Sequence, residues 1–227
     1  MDFSLVDKIY RSRINLLDIL DSRGYNTTPY RKFSPKEIEI MAVKPTSLMM
    51  DLYPRVDADT KLPEQGNQKM IRVIYFLERL KQRLQKLMNR LLDEEEADTI
   101  LVYPDFTEVI VMTNDEIGDV FNNEAIKAYN KHYKDKSLKI SFFEILHLSA
   151  LNPLKHVRVP KHERIPPEEH EELMKKLFIT AKNQLPIIRY HEDAIARCMG
   201  LIPGDIVKII RPSPTAGEYV QYRICTP

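Results

Sequence analysis

The chain has 227 residues, of which 43% are apolar and 30% are charged, a composition typical of a globular protein with a sizeable core. Its formal net charge of +1 excludes nucleic-acid binding by bulk electrostatic attraction, so any such contact has to be a local basic patch. Two cysteines give no disulfide framework, no stretch reaches the roughly 20 apolar residues of a membrane span, and the opening MDFSLVDKIYRSR lacks the apolar core of a signal peptide, so we expect a nuclear or cytosolic protein.

The first elements of the chain are predicted to be two helices. Residues 5–23 carry apolar side chains at three- and four-residue spacings, and Gly24 follows as a stop residue. Ser34 as N-cap and Pro35 at the first helical position predict a second helix that ends near Ala42. A strand at 47–53 and a loop at 54–67 are predicted to follow.

The longest periodic segment is 68–92, where apolar residues form one continuous stripe. This pattern favours a core helix packed on a sheet over a coiled-coil helix, and an alternative boundary makes 71–76 a strand. Four further segments are then predicted, namely strands at 99–103 and 108–112, a helix at 124–133 and a strand at 138–148.

The remainder of the chain is rich in local punctuation. A helix is predicted to open at Pro167, to end after Lys176 and to bury four apolar residues, Leu173, Met174, Leu177 and Phe178. Asp193 can cap a short helix over 194–199, with Gly200 as its stop. Pro203–Gly204 fits a type II turn, and strands are predicted at 206–211 and 218–224.

These elements indicate two domains. Helices alternate with apolar strands over residues 1–148, which is the pattern of an α/β domain. Residues 149–227 combine short helices with an antiparallel pair of strands, which indicates a small α+β domain. The predicted boundary lies in the linker after residue 148.

No catalytic or cofactor-binding constellation is found in the sequence. The six glycines form neither G-x-G-x-x-G nor G-x-x-x-x-G-K, and G-x-S-x-G, H-E-x-x-H and paired carboxylates are missing. His156 and His162 match no common zinc spacing, and Cys198 near His191 has no third group to orient a thiol nucleophile. We therefore expect no cofactor, no metal and no catalytic residue.

The best local candidate for contact with nucleic acid is a basic and aromatic segment from 127 to 139. Its candidate DNA-proximal residues are Lys127, Lys131, Lys134 and Lys136. A solvated helix face explains such a run of lysines more simply.

The C-terminal third carries a resemblance to a known family. QLPII, the spaced AR and GL, and GDIVKIIRPSPTAGEYVQYR resemble the assembly domain of the jaw subunit shared by eukaryotic nuclear RNA polymerases, and also its shorter counterpart in the archaeal RNA polymerase. The match extends upstream through HVRVPKH, and IYRSRINLLDILDSRGY resembles the opening of the same subunit more weakly. Its structural motif residues here are His156, Pro160, His162, Pro186, Gly200, Gly204 and Gly217. Cys198-Met199, Pro214 and Glu218 depart from the family pattern.

The resemblance implies a non-catalytic subunit of a DNA-directed RNA polymerase that supports transcription in the nucleus, the nucleolus included. It implies docking on the largest subunit through the C-terminal domain, for which Arg197, Arg211 and Arg223 are the candidate interface residues. The N-terminal domain would form part of the jaw beside downstream DNA. The rival interpretations are a free-standing nucleic-acid-binding module and a stand-alone hydrolase or nuclease.

The jaw half drifts further from the family than the tail does. A Thr-Pro-Ser-Ala-like element is broken here, and nearby acids, Asp105, Glu108, Asp115 and Glu116, would repel phosphate. We therefore expect the contact with downstream DNA to be indirect or weak. A drifting jaw on a retained tail leaves open a general subunit, a specialised isoform or a virus-encoded version, which could also act in the cytoplasm.

Overall fold

The computed structural model describes residues 3–56, 70–92, 106–136 and 138–227. It divides into two compact units, Met1–Asn152 and Pro153–Pro227, called here the N-terminal and C-terminal units. The strand predicted at 99–103 and most of the loop predicted at 54–67 lie outside the described residues. Within the described ranges, every helix is too short or too polar to span a membrane.

The N-terminal unit is built on a four-stranded mixed sheet. Its helices are α1 (Phe3–Ser22), α2 (Pro35–Ala42), α3 (Leu84–Leu92), α4 (Asp119–Lys136) and α5 (Ile145–Ala150). Its strands are β1 (Met50–Leu52), β2 (Met70–Phe76), β3 (Phe106–Thr113) and β4 (Lys139–Glu144). The strands lie in sequence order, with β2, β3 and β4 parallel and β1 antiparallel at the edge.

Helices pack on both faces of this sheet. One face forms a buried cluster with α3 and α4, in which Ile74, Val111 and Phe142 meet Leu87 and Phe121. Successive residues of a strand point to opposite faces, so Tyr75 and Glu108 lie on the other side. There Arg13 and Arg23 of α1 and its C-terminal end reach them, and α1 packs against α2 and α5.

The single helix predicted over 68–92 is wrong in its first half. Residues 70–76 form β2 and only Leu84–Leu92 are helical, so the alternative strand at 71–76 is confirmed. Strand β2 lies between β1 and β3 and is buried on both faces. A strand of this kind presents a continuous apolar run, which periodicity alone does not distinguish from a buried helix.

The strand predicted at 138–148 is wrong in its second half for the same reason. Strand β4 ends at Glu144, and the apolar residues that follow belong to α5. The strand predicted at 47–53 is reduced to β1, preceded by a 3-10 turn at Pro45–Leu48. The helices predicted from 5, from Pro35 and at 124–133, and the strand at 108–112, are confirmed.

The C-terminal unit holds a second four-stranded sheet. Its elements are β5 (Lys161–Ile165), α6 (His170–Lys176), β6 (Ile187–Arg189), α7 (Ala194–Met199), β7 (Ile206–Ser213) and β8 (Gly217–Thr226). The strand order is β5-β7-β8-β6, so the β7–β8 hairpin forms the centre. Helix α6 and the turn after it pack Leu173 and Leu177 against a cluster formed by Leu185, Ile206 and Ile224.

The local signals in this unit are confirmed. The Asp193 carboxylate accepts hydrogen bonds from the backbone N–H groups of Ile195 (2.7 Å) and Ala196 (3.0 Å), and Gly200 ends α7 at φ 65°. Gly204 has φ 98°, and the N–H of Asp205 donates to the carbonyl of Ile202 at 3.1 Å across the turn. A residue with a Cβ is strained at such angles, which is why glycine occupies both positions.

Two edge strands and one side chain differ from the sequence predictions. Strands β5 and β6 are not predicted, because β5 is a charged segment and β6 has only three residues. Charged and very short strands are typical of sheet edges. The burial predicted for Phe178 is wrong, since its side chain is 95% exposed just after α6.

Candidate protein-interaction surface

The β7–β8 hairpin extends beyond the core of the C-terminal unit. Its register runs from Ile206 opposite Ile224 to Ser213 opposite Gly217. The first half is buried, with Val207 and Ile209 in β7 and Cys225 in β8 inaccessible to solvent. From position 210 outward the strands lose their cover, so the outer half of the hairpin presents side chains to solvent.

Two cross-strand pairs make up this outer half, which we call the hairpin surface. Ile210 lies opposite Val220 on one face, and Arg211 lies opposite Tyr219 on the other. Tyr219 is 55% exposed and Val220 is 39% exposed. Tyrosine and arginine are enriched at protein interfaces, and exposed apolar side chains gain most from being covered. The arrangement can bind a protein surface.

The three candidate interface arginines are not brought together. Arg211 is exposed on the hairpin surface. Arg223 lies opposite Val207 in the covered half, where it is half-buried and donates from Nη1 to the Ile187 carbonyl at 3.1 Å. Arg197 is half-buried in α7. Only Arg211 therefore belongs to the hairpin surface.

The motif residues shape the backbone of the C-terminal unit. His162 Nδ1 lies 2.7 Å from the Pro160 carbonyl, and His156 Nδ1 accepts from the N–H of Arg158 at 3.2 Å. The Pro186 carbonyl accepts from the N–H of Ile224 at 2.9 Å just before β6, and Gly217 opens β8 at φ 74°. These contacts fix turns and strand pairing.

A buried aspartate escapes the sequence analysis. Asp205 is 4% exposed and accepts hydrogen bonds from Arg164 Nη2 (2.8 Å) and from the Ile202 N–H (2.9 Å). It ties the edge strand β5 to the turn at Gly204. An acid placed directly after a Pro-Gly pair and before an apolar strand was the available signal.

The described residues of the chain contain no group of three or more histidine, cysteine or acidic side chains that could hold a metal ion. Cys198 is buried, at 1% exposure, so its thiol is withdrawn from solvent. His191 is also buried and stacks on Tyr190, with ring centroids 3.7 Å apart. The local geometry at these residues suits packing.

The candidate DNA-proximal lysines lie on α4. Lys127 and Lys131 are exposed, and Lys127 Nζ forms an ion pair with Glu124 at 2.7 Å. Lys134 and Lys136 fall in the last turns of the helix, where only the backbone is described. Positions 127, 131 and 134 follow the helical repeat and so share one face, whereas 136 lies away from it.

Glu108 does not face phosphate, contrary to the prediction that it would repel DNA. Its carboxylate is 1% exposed, forms ion pairs with Arg23 and Lys139, and accepts a hydrogen bond from Ser141. Burial opposes ionisation of this carboxyl, but the two cations and the hydrogen bonds outweigh that effect and lower its pKa to about 2. Asp115 also has an internal role, since it accepts from the N–H of Lys81 at 2.6 Å.

Comparisons with known proteins agree with this architecture. Residues 151–225 match the family described as RNA polymerase Rpb5, C-terminal domain. A protein of Archaeoglobus fulgidus named DNA-directed RNA polymerase subunit Rpo5 is 56% identical over 69 residues, covering 30% of this chain and 88% of that protein. The Rpo5 protein of Methanocaldococcus jannaschii is 46% identical over 69 residues, covering 30% and 86% respectively.

A eukaryotic relative extends the match. The Dictyostelium discoideum protein named DNA-directed RNA polymerases I, II, and III subunit rpabc1 is 36% identical over 105 residues, or 46% of this chain and 50% of that protein. The chain belongs to the Rpb5/Rpo5 family of RNA polymerase subunits. The resemblance predicted for the C-terminal third is thereby confirmed, whereas that of IYRSRINLLDILDSRGY stays a prediction.

Proposed function

We infer that the chain is a non-catalytic subunit of a DNA-directed RNA polymerase, and we propose that it docks on the largest subunit through its C-terminal unit. One observation carries this proposal. The family match at 151–225 coincides closely with the compact unit Pro153–Pro227, so the similarity covers one folded body. A retained body of this kind is suited to a fixed partner surface.

The hairpin surface is the proposed point of docking. Ile210, Arg211, Tyr219 and Val220 project from the part of β7 and β8 that the unit's own core does not cover. An exposed tyrosine paired with an arginine offers both apolar area and charge-assisted hydrogen bonds. Arg197 and Arg223, being half-buried, would contribute at the margin of such an interface.

The N-terminal unit is proposed to form the jaw beside downstream DNA. The exposed lysines at 127 and 131 on α4 are the candidate point of approach. Lys127 is already paired with Glu124, and the net charge of the chain is only +1, so the DNA contact would be weak or indirect. The eukaryotic relative supports a nuclear location for the chain.

The division of labour between the units is testable with fragments. Residues 149–227 contain a complete sheet and its own buried cluster, so we expect this fragment to unfold cooperatively and to co-purify with the largest polymerase subunit. Residues 1–148 are expected to recover little of it. Circular dichroism melting and mass spectrometry of the purified fragments provide the two measurements.

The opposite result would refute this division. If 1–148 recovers the largest subunit and a folded 149–227 does not, docking resides in the N-terminal unit. Salt-sensitive DNA binding by the isolated protein without partners would instead favour the free-standing nucleic-acid-binding module.

A further inference from the structure

Phe178 combines two properties that a phenylalanine normally avoids. It lies just past the end of α6, and its side chain is 95% exposed. Its backbone has φ 55°, in the left-handed region where glycine is the usual occupant. A glycine would satisfy the same turn without exposing a ring and without steric strain.

The backbone of this turn is held in place from both sides. The N–H of Phe178 donates to the Lys175 carbonyl and that of Ile179 to the Met174 carbonyl, each at 3.1 Å. The neighbours Leu177 and Ile179 both pack on the core cluster of the C-terminal unit. Since its neighbours face inward, the ring of Phe178 is fixed pointing outward. Packing therefore explains why this position is exposed, but not why it is aromatic.

A rigid, exposed aromatic side chain resembles the anchors of protein interfaces. Such anchors insert into a pocket of the partner, and little conformational entropy is lost when their backbone is already ordered. Lys175 and Lys176 are exposed in the last turn of the same helix. The ring is therefore accompanied by positive charge.

We propose that Phe178 is an anchor that inserts into an apolar, acid-rimmed pocket on a partner subunit of the polymerase. This inference rests on the proposed function and adds to it a second contact besides the hairpin surface. Because the anchor occupies a strained position, its presence and the stability of its own unit are opposed. Replacing it with glycine relieves the backbone and removes the ring at once.

The test compares tagged full-length chains in cells that contain the polymerase. For Phe178→Gly, we expect the melting temperature to stay the same or rise, while the amount of co-purified polymerase per tagged chain falls by about tenfold, as for the loss of an interface hot spot. Val157→Ala is the matched control, because Val157 is 94% exposed and lacks a positive φ. Its recovery of polymerase should equal that of the wild type.

Each other outcome has a defined meaning. If the wild type recovers polymerase and Phe178→Gly recovers as much, the anchor is refuted and the proposed function stands. If Phe178→Gly lowers the melting temperature along with recovery, or Val157→Ala loses as much, a specific anchor is also refuted. If the wild type recovers no polymerase, the proposed function fails and the anchor fails with it.

Discussion

Glu108→Gln is expected to destabilise the N-terminal unit by about 3–5 kcal/mol, the range found when one partner of a buried ion pair is removed. The carboxylate lies between Arg23 at the end of α1 and Lys139 at the start of β4, and both cations are largely buried, at 12% and 6% side-chain exposure. Glutamine fills the same volume but leaves this positive charge without its counterion. Chemical denaturation of the full chain measures the loss.

Glu78→Gln is the matched control for this change. Glu78 also forms an ion pair with an arginine, Arg83, but these side chains are 78% and 70% exposed. Exposed pairs contribute about 0–1 kcal/mol, so the control should remain close to the wild type. Equal losses from the two substitutions would show that the buried network does not hold the unit together.

The same carboxylate predicts the acid response of the unit. Its pKa in the folded chain is about 2, below the ordinary value of 4.5, so the unfolded chain binds this proton more readily. The stabilisation is therefore complete above about pH 4.5 and is lost as the pH falls toward 2. Unfolding measured across this range should show a shallower pH dependence for Glu108→Gln than for the wild type.

Ile209→Ala is expected to destabilise the C-terminal unit by about 2–5 kcal/mol, because truncation of a buried isoleucine removes apolar contacts and leaves a cavity. Ile209 is 2% exposed in the central strand β7, with His162 and Gln221 as its neighbours across the sheet. A small unit has few other apolar contacts to compensate, so this is a large part of its stability. Hydrogen exchange of the β7 and β8 amides in the full chain measures the change.

Ile210→Ala supplies the comparison at the next position. Ile210 lies on the opposite face of the same strand, is half-buried and belongs to the hairpin surface. It should lower stability less than Ile209→Ala while lowering the recovery of polymerase. A greater loss of stability from Ile210→Ala would contradict the assignment of the two faces.

The features that the sequence predicts correctly are those with local causes. The Ser34 cap, the Asp193 cap and the Gly200 stop each depend on residues within one helical turn. The Pro203–Gly204 turn is equally local. These signals are therefore independent of what packs around them, and they place the hairpin in the right part of the chain.

The errors lie where distant residues decide the structure. Strand β2 and the junction of β4 with α5 are largely apolar runs, so their type depends on the neighbouring strands and helices. Glu108 resembles a surface acid in the sequence because Arg23, which partners it, is far away along the chain. Phe178 resembles a core residue because the spacing of α6 does not show that the helix ends two residues before it.

The most direct test of the central claim is affinity purification of the tagged full chain at its native abundance, followed by quantitative mass spectrometry. A polymerase subunit should recover the largest subunits of a DNA-directed RNA polymerase in amounts close to its own. Recovery of the chain alone, with no polymerase subunit above the level of an untagged control, would contradict the assignment.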